Sequence, residues 1–178
     1  RDDHEIPVVA PRQFNDGTTL AELPGTGLAY AIFPKISCRS PDELSDQQLA
    51  QVGRLLARLH NVGAAGGARH RLALTPATYG LANLRHLVDA RILPDDVRPA
   101  YQATVEAICA LASPLFAGVA VHRLHGDCHL GNLIAGRDGL FLVDFADMVV
   151  GPAVQDVWLL LPGRDEEAAR QLDLLLDG

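Results

Sequence analysis

The 178 residues carry 22 acidic against 15 basic side chains, a net charge of −7, and 48% of them are hydrophobic. That apolar share suffices for one sizeable core without disulfide staples, the acidic balance excludes a nucleic-acid surface, and no apolar run approaches the roughly 20 residues of a membrane span. Three cysteines, at 38, 109 and 128, form an odd set without C-x-x-C spacing, which points to a reducing compartment. With no signal-peptide pattern at the start, the expectation is a cytoplasmic monomer with no membrane or nucleic-acid partner.

The first third reads as extended pieces: Val8-Val9, Thr18 to Leu23, and Leu28 to Phe33. Pro24-Gly-Thr-Gly27 joins the last two; it lacks the third glycine and the following helix of a phosphate loop, so it is read as a hairpin turn. After Phe33-Pro34 the pattern becomes helical, which makes Phe33 to Ser37 a hinge between a segment 1–36 and a segment 37–178. The first helix has two possible starts with capping-box spacing, Ser40 to Glu43 and Ser45 to Gln48. Leu49, Val52, Leu55, Leu56 and Leu59 follow at helical intervals as a core stripe, and Gly63 ends the run. A Gly/Ala loop leads to helical segments near Tyr79 to Ala90 and Asp95 to Ala112, then to a β-branched run from Val119 to Leu124. Leu133 to Ala135 and Leu140 to Val143, separated by Gly136-Arg-Asp-Gly139, read as a hairpin. Helices from about Ala153 and Asp165 close the chain.

The chemistry lies between the β-branched run and the end of the hairpin. His125-Gly-Asp-Cys-His-Leu-Gly-Asn132 supplies an Asp and, five positions on, an Asn; the hairpin ends on Asp144. Phosphoryl transfer needs this set. One carboxylate orients the acceptor hydroxyl and takes its proton, while a carboxamide and a second carboxylate hold divalent metal against the phosphate oxygens. Asp127 and Asp144 are therefore the expected catalytic residues, and Asn132 and Asp144 the expected metal ligands. The hairpin should return Asp144 to the neighbourhood of Asn132, which favours metal binding over a simple turn cap. His125 and His129 also match an H-x-x-x-H zinc site, but that site needs a helix, and Gly126 and Gly131 argue against one. His125 is expected beneath the loop, His129 hydrogen-bonded near the catalytic Asp, and Cys128 as a packed thiol. Asp147 either touches metal through water or is solvated, and Trp158 is expected in the core.

Arg123-Leu-His-Gly-Asp-Cys-His-Leu-Gly-Asn132, Val143-Asp-Phe-Ala-Asp147 and Gly151-Pro-Ala-Val-Gln-Asp-Val-Trp158 resemble the bacterial stress response kinase A group. That group lies within the aminoglycoside phosphotransferase and choline kinase superfamily, whose signature is H-G-D-x-H-x-x-N. Glu5-Ile-Pro-Val-Val-Ala-Pro11 and Leu55-Leu-Ala-Arg-Leu-His60 are similar to it as well, so the resemblance covers almost the whole chain.

The resemblance implies an α+β, protein kinase-like two-lobed fold, mostly the helical C-lobe with a partial β-rich N-lobe. It implies ATP and Mg²⁺ as cofactors and Ser/Thr hydroxyls of proteins as acceptors. Asp156 becomes the acid that braces the catalytic loop by accepting backbone hydrogen bonds. Adenine would meet the hinge at Ile32, Phe33 and Lys35. Small-molecule kinases acting on an aminoglycoside, choline or homoserine share the same residues and form the alternative; a non-catalytic pseudokinase is the third reading. Lys35 is the one lysine and falls in the hinge, so the phosphate-gripping lysine and lid of a kinase are expected upstream, with the chain a piece of a longer protein.

Overall fold

The apolar stripe that begins at Leu49 folds as expected. In a computed structural model describing residues 6–35, 39–136 and 139–178, helix α1 spans Asp46–Ala64 and buries Leu49, Val52, Leu55 and Leu56. The second of the two candidate starts is used. The Ser45 hydroxyl accepts the Gln48 N–H at 3.3 Å, and the Gln48 carboxamide accepts the Ser45 N–H at 3.0 Å, satisfying two of the donors that a helix start leaves open.

The chain forms two units. The first comprises Arg1–Arg58, Cys128–Phe145 and Leu159–Gly178. Strands β1 (Ala21–Leu23) and β2 (Leu28–Tyr30) pair antiparallel, and Gly25 and Gly27 take φ of 75° and 70° in the turn between them. The Gly-x-Gly is thus a hairpin turn, as expected. Strands at Leu133–Gly136 and Gly139–Leu142 also pair antiparallel as the predicted hairpin, and Val8 bridges Leu142 in parallel. Leu133, Leu140 and Leu142 are buried. A C-terminal helix at Glu166–Asp177 starts on Asp165, whose carboxylate accepts the Ala168 N–H at 2.9 Å. It lies so close to α1 that a Cβ at Gly53 would collide with the Leu175 carbonyl. The expected hinge at Phe33 to Ser37 falls partly outside the described residues, as do Cys38 and the Arg137-Asp138 turn.

The second unit comprises Leu59–Asp127 and Ala146–Trp158. Its first helical segment begins earlier than the periodicity predicts, because Thr75 and Thr78 cap each other reciprocally and start a π turn at Pro76–Leu81. Helix α2 (Ala82–Asp89) continues from it. Helix α3 spans Arg98–Ala112, with Asp95 just ahead of it in an ion pair to Arg98 at 2.8 Å. A strand at His122–Leu124 pairs antiparallel with one at Val149–Gly151. Ala73 bridges Val150 on the free edge of that pair.

Two expectations need correction. The helix predicted from Ala153 is instead a pair of 3₁₀ turns, Ala153–Asp156 and Trp158–Leu160. Gln155 and Asp156 turn their side chains onto the segment preceding Asp127, and the backbone tightens to i, i+3 hydrogen bonds. Trp158 is not core: it is 55% exposed and its indole N–H donates to the Gln155 side chain at 3.3 Å. In a 3₁₀ geometry side chains three apart eclipse, so Trp158 shares the face of Gln155.

Candidate active site

The residues singled out by the sequence are divided between the two units. Asp127 stands in the second, on the segment that leaves the His122–Leu124 strand. Three donors converge there on Asp156, which is fully buried: the His125 N–H at 2.9 Å, the Gly126 N–H at 2.8 Å, and His60 Nε2 at 2.9 Å. Burial pushes this carboxyl up, but the hydrogen bonds from His60, Gly126 and His125 outweigh it and hold Asp156 below the usual carboxylate range. Asp156 is the brace that the resemblance implied. The Gln155 side chain adds a bond to the Gly126 carbonyl at 2.9 Å. Gly126 has φ of 90°, and a Cβ there would collide with the Asp147 carbonyl; only glycine permits this backbone approach. The backbone immediately before Asp127 is therefore held on both its N–H and C=O groups.

Asp156→Ala should lower the unfolding free energy by about 3 kcal/mol or more, since the buried His125 N–H and the part-buried Gly126 N–H lose their acceptor at roughly 1–3 kcal/mol each and His60 loses its partner. Denaturant unfolding of the variant measures this. A loss within a few tenths of a kcal/mol would show that the brace contributes nothing.

His125 is fully buried, as expected, and its Nδ1 accepts the Asp127 N–H at 3.4 Å. The helix that a zinc H-x-x-x-H site requires does not form across His125 to His129. Asp147 is exposed, and Arg71 donates to the neighbouring Ala146 carbonyl.

Asn132 and Asp144 stand in the first unit. The Asn132 carbonyl accepts the Val143 N–H at 3.0 Å, so the hairpin does bring Asp144 back to within one residue of Asn132's partner. Asn132 is 8% exposed and Asp144 is exposed. Asp144 has φ of 60°, a left-handed conformation that costs most residues energy and that Asp tolerates better than others. His129 Nδ1 accepts the Gly131 N–H at 3.0 Å, and the Ser40 hydroxyl donates to the Gly131 carbonyl at 3.1 Å. Cys128 is a buried thiol, as expected. A carboxamide and a carboxylate are hard oxygen donors that suit Mg²⁺, an ion that keeps phosphate and water ligands. Among the described residues no group of three or more His, Cys, Asp and Glu side chains gathers to hold a metal. Ile32 and Phe33 are 49% and 56% exposed and Lys35 is exposed; the Ile32 carbonyl accepts the Arg12 N–H at 2.7 Å.

Sequence reasoning passed over three residues here: Gln155, Arg71 and His60. For His60 there was a signal, because it falls four residues after Leu56 on the buried face of α1, where an imidazole needs a partner.

This fold is that of kinase-like phosphotransferases. An amicoumacin kinase solved with AMP-PNP, Ca²⁺ and amicoumacin superposes with a TM-score of 0.73 at 17% identity, over 98% of this chain and 56% of that one. A spectinomycin phosphotransferase solved with ADP and spectinomycin gives 0.66 at 13% identity, over 99% and 60%. The model of the phosphotransferase enzyme family matches residues 2–178, and the chain belongs to that family. It is 36% identical over 174 residues to stress response kinase A of Escherichia coli strain K12, covering 97% of this chain and 52% of that protein. With the serine/threonine protein kinase RdoA of Salmonella typhimurium the identity is 37% over the same shares. The chain spans about half the length of the curated relatives it matches. Among the described residues no helix is long and apolar enough to cross a membrane.

Proposed function

We propose that this chain carries the catalytic segment of an ATP- and Mg²⁺-dependent serine/threonine protein kinase, acting in the cytoplasm as a monomer. Asp127 orients and deprotonates the acceptor hydroxyl. Asn132 and Asp144 hold the Mg²⁺, which supplies charge neutralisation for the phosphate oxygens. The backbone around Ile32, Phe33 and Lys35 receives the adenine, beside two exposed apolar side chains that suit a flat base. Segment 1–36 then acts as part of an N-lobe and 37–178 as a C-lobe.

The observation that supports the chemical reading is the backbone bond from Val143 N–H to the Asn132 carbonyl, which brings Asn132 and Asp144, the residue after Val143, to one end of a hairpin. The choice of acceptor rests on the relatives. Identity of 36–37% over 97% of the chain is to proteins named as stress response or serine/threonine protein kinases, against 13–17% to antibiotic kinases. Charge supports it too. Residues 65–121 carry Arg69, Arg71, Arg85, Arg91 and Arg98 against Asp89, Asp95, Asp96 and Glu106, whereas a polycationic antibiotic calls for a wall of carboxylates. The second reading, a small-molecule kinase, draws on the names of the structural neighbours, which act on amicoumacin and spectinomycin.

A competition separates the two. The intact protein receives labelled ATP with a generic protein substrate, or with an aminoglycoside, choline or homoserine. Label should enter protein, including the kinase itself, and no small alcohol should saturate. Rapid saturable labelling of one small alcohol with none in protein would replace the first reading by the second.

A further inference from the structure

Asp156 is held by two donors from the loop and one from His60, and His60 has a second imidazole against it. The His122 and His60 rings lie 4.8 Å apart at 61°. His122 Nε2 is buried and has no hydrogen-bond partner among the described residues, an exception to the rule that buried polar atoms are paired. The ionisable groups facing His122 are His60 from α1 and Asp156 from the Ala153–Asp156 turn. Its strand neighbour Arg123 is committed to the Val62 and Gly63 carbonyls at 2.9 and 3.5 Å, and the strand opposite presents Gly151 at its register. His125, further along, meets Asp156 through its backbone N–H.

One carboxylate thus stands near two imidazoles and bonds only one of them, His60. A proton on His122 would place a cation against the His60 ring, while the Asp156 carboxylate is already taken by His60 and the two loop amides. We propose that His60 is a positioning residue for Asp127, acting through Asp156, and that its hold on the catalytic loop requires the neighbouring His122 to be neutral. The inference rests on Asp127 being the base of the proposed reaction.

The direction of the pH effect follows from the packing. Burial pushes His122 below the ordinary histidine value, and the neighbouring His60 pushes it the same way while Asp156 opposes both. Below the ordinary value the unfolded chain therefore binds more protons than the folded one, and stability falls as the pH falls through that window. The loop amides of His125 and Gly126 should lose protection in step with it.

The test uses the intact protein and two readouts. Amide exchange at His125 and Gly126 is followed from neutral to mildly acidic pH in the native protein, His122→Phe and His122→Gln, alongside the pH profile of turnover. Native protein should lose protection and activity together on acidification. Both variants should keep them to lower pH and retain several-fold more of their plateau activity at the acid end, and His60→Ala should lose protection at every pH. Retained protection in acid while the His122 imidazole titrates by NMR, or an acid limb unmoved in both variants, overturns the proposal. The exchange readout does not depend on catalysis, so it stands or falls apart from the assignment of Asp127.

Discussion

Asp127→Asn should reduce phosphoryl transfer by about two orders of magnitude or more while leaving the fold intact. Asn has nearly the shape of Asp but cannot accept the hydroxyl proton at neutral pH. The surrounding backbone has holds of its own: Asp156 takes the His125 and Gly126 N–H groups, and the Gln155 side chain donates to the Gly126 carbonyl. Steady-state turnover of purified protein, with circular dichroism and thermal unfolding as controls, reads both halves of this expectation. Near-native turnover would remove Asp127 from the role of base. Lost turnover together with lost stability would mean that the residue is structural.

Replacing Asp144 should have an effect of similar size through a different route. Charge stabilisation by a bound metal is worth several kcal/mol, so loss of one of the two proposed protein ligands should weaken MgATP binding and lower turnover by about a hundredfold. Asp144→Asn is the more informative variant. Asp144 sits at φ of 60°, a conformation that Asn accepts nearly as well as Asp, so its loss reports charge. Asp144→Ala adds a backbone cost and should destabilise slightly as well. Titration calorimetry with MgATP, compared with nucleotide alone, isolates the metal-dependent part. Unchanged MgATP affinity in Asp144→Asn would leave the residue a turn former whose left-handed backbone is its whole purpose.

Much of the local structure was legible because it depends on near neighbours. Ser45 and Gln48 are three apart, and a capping box closes within those four residues. The Leu49 to Leu56 stripe has helical spacing whatever it packs against. Two glycines in Pro24 to Gly27 accept positive φ that other residues resist. The Asn132 to Asp144 hairpin could be read in the same way, as two apolar runs around a four-residue turn.

The order of residues determined that one Asp, one Asn and a second Asp occur at the intervals phosphoryl transfer requires, with the two metal-ligand candidates on one hairpin. Tertiary structure decided what holds the loop. Asp156 lies 30 residues from Gly126 and His60 lies 96 from Asp156, and no local pattern encodes a contact across such distances. Tertiary structure also decided the 3₁₀ turns after Pro152, where side-chain bonds to a distant backbone override helical propensity, and it left Trp158 on the surface. The His60 and His122 pair belongs to the same class. The two rings meet only because the C-terminal end of α1, at His60, approaches the strand at His122–Leu124, and half-buried imidazoles answer to the charges that packing brings beside them.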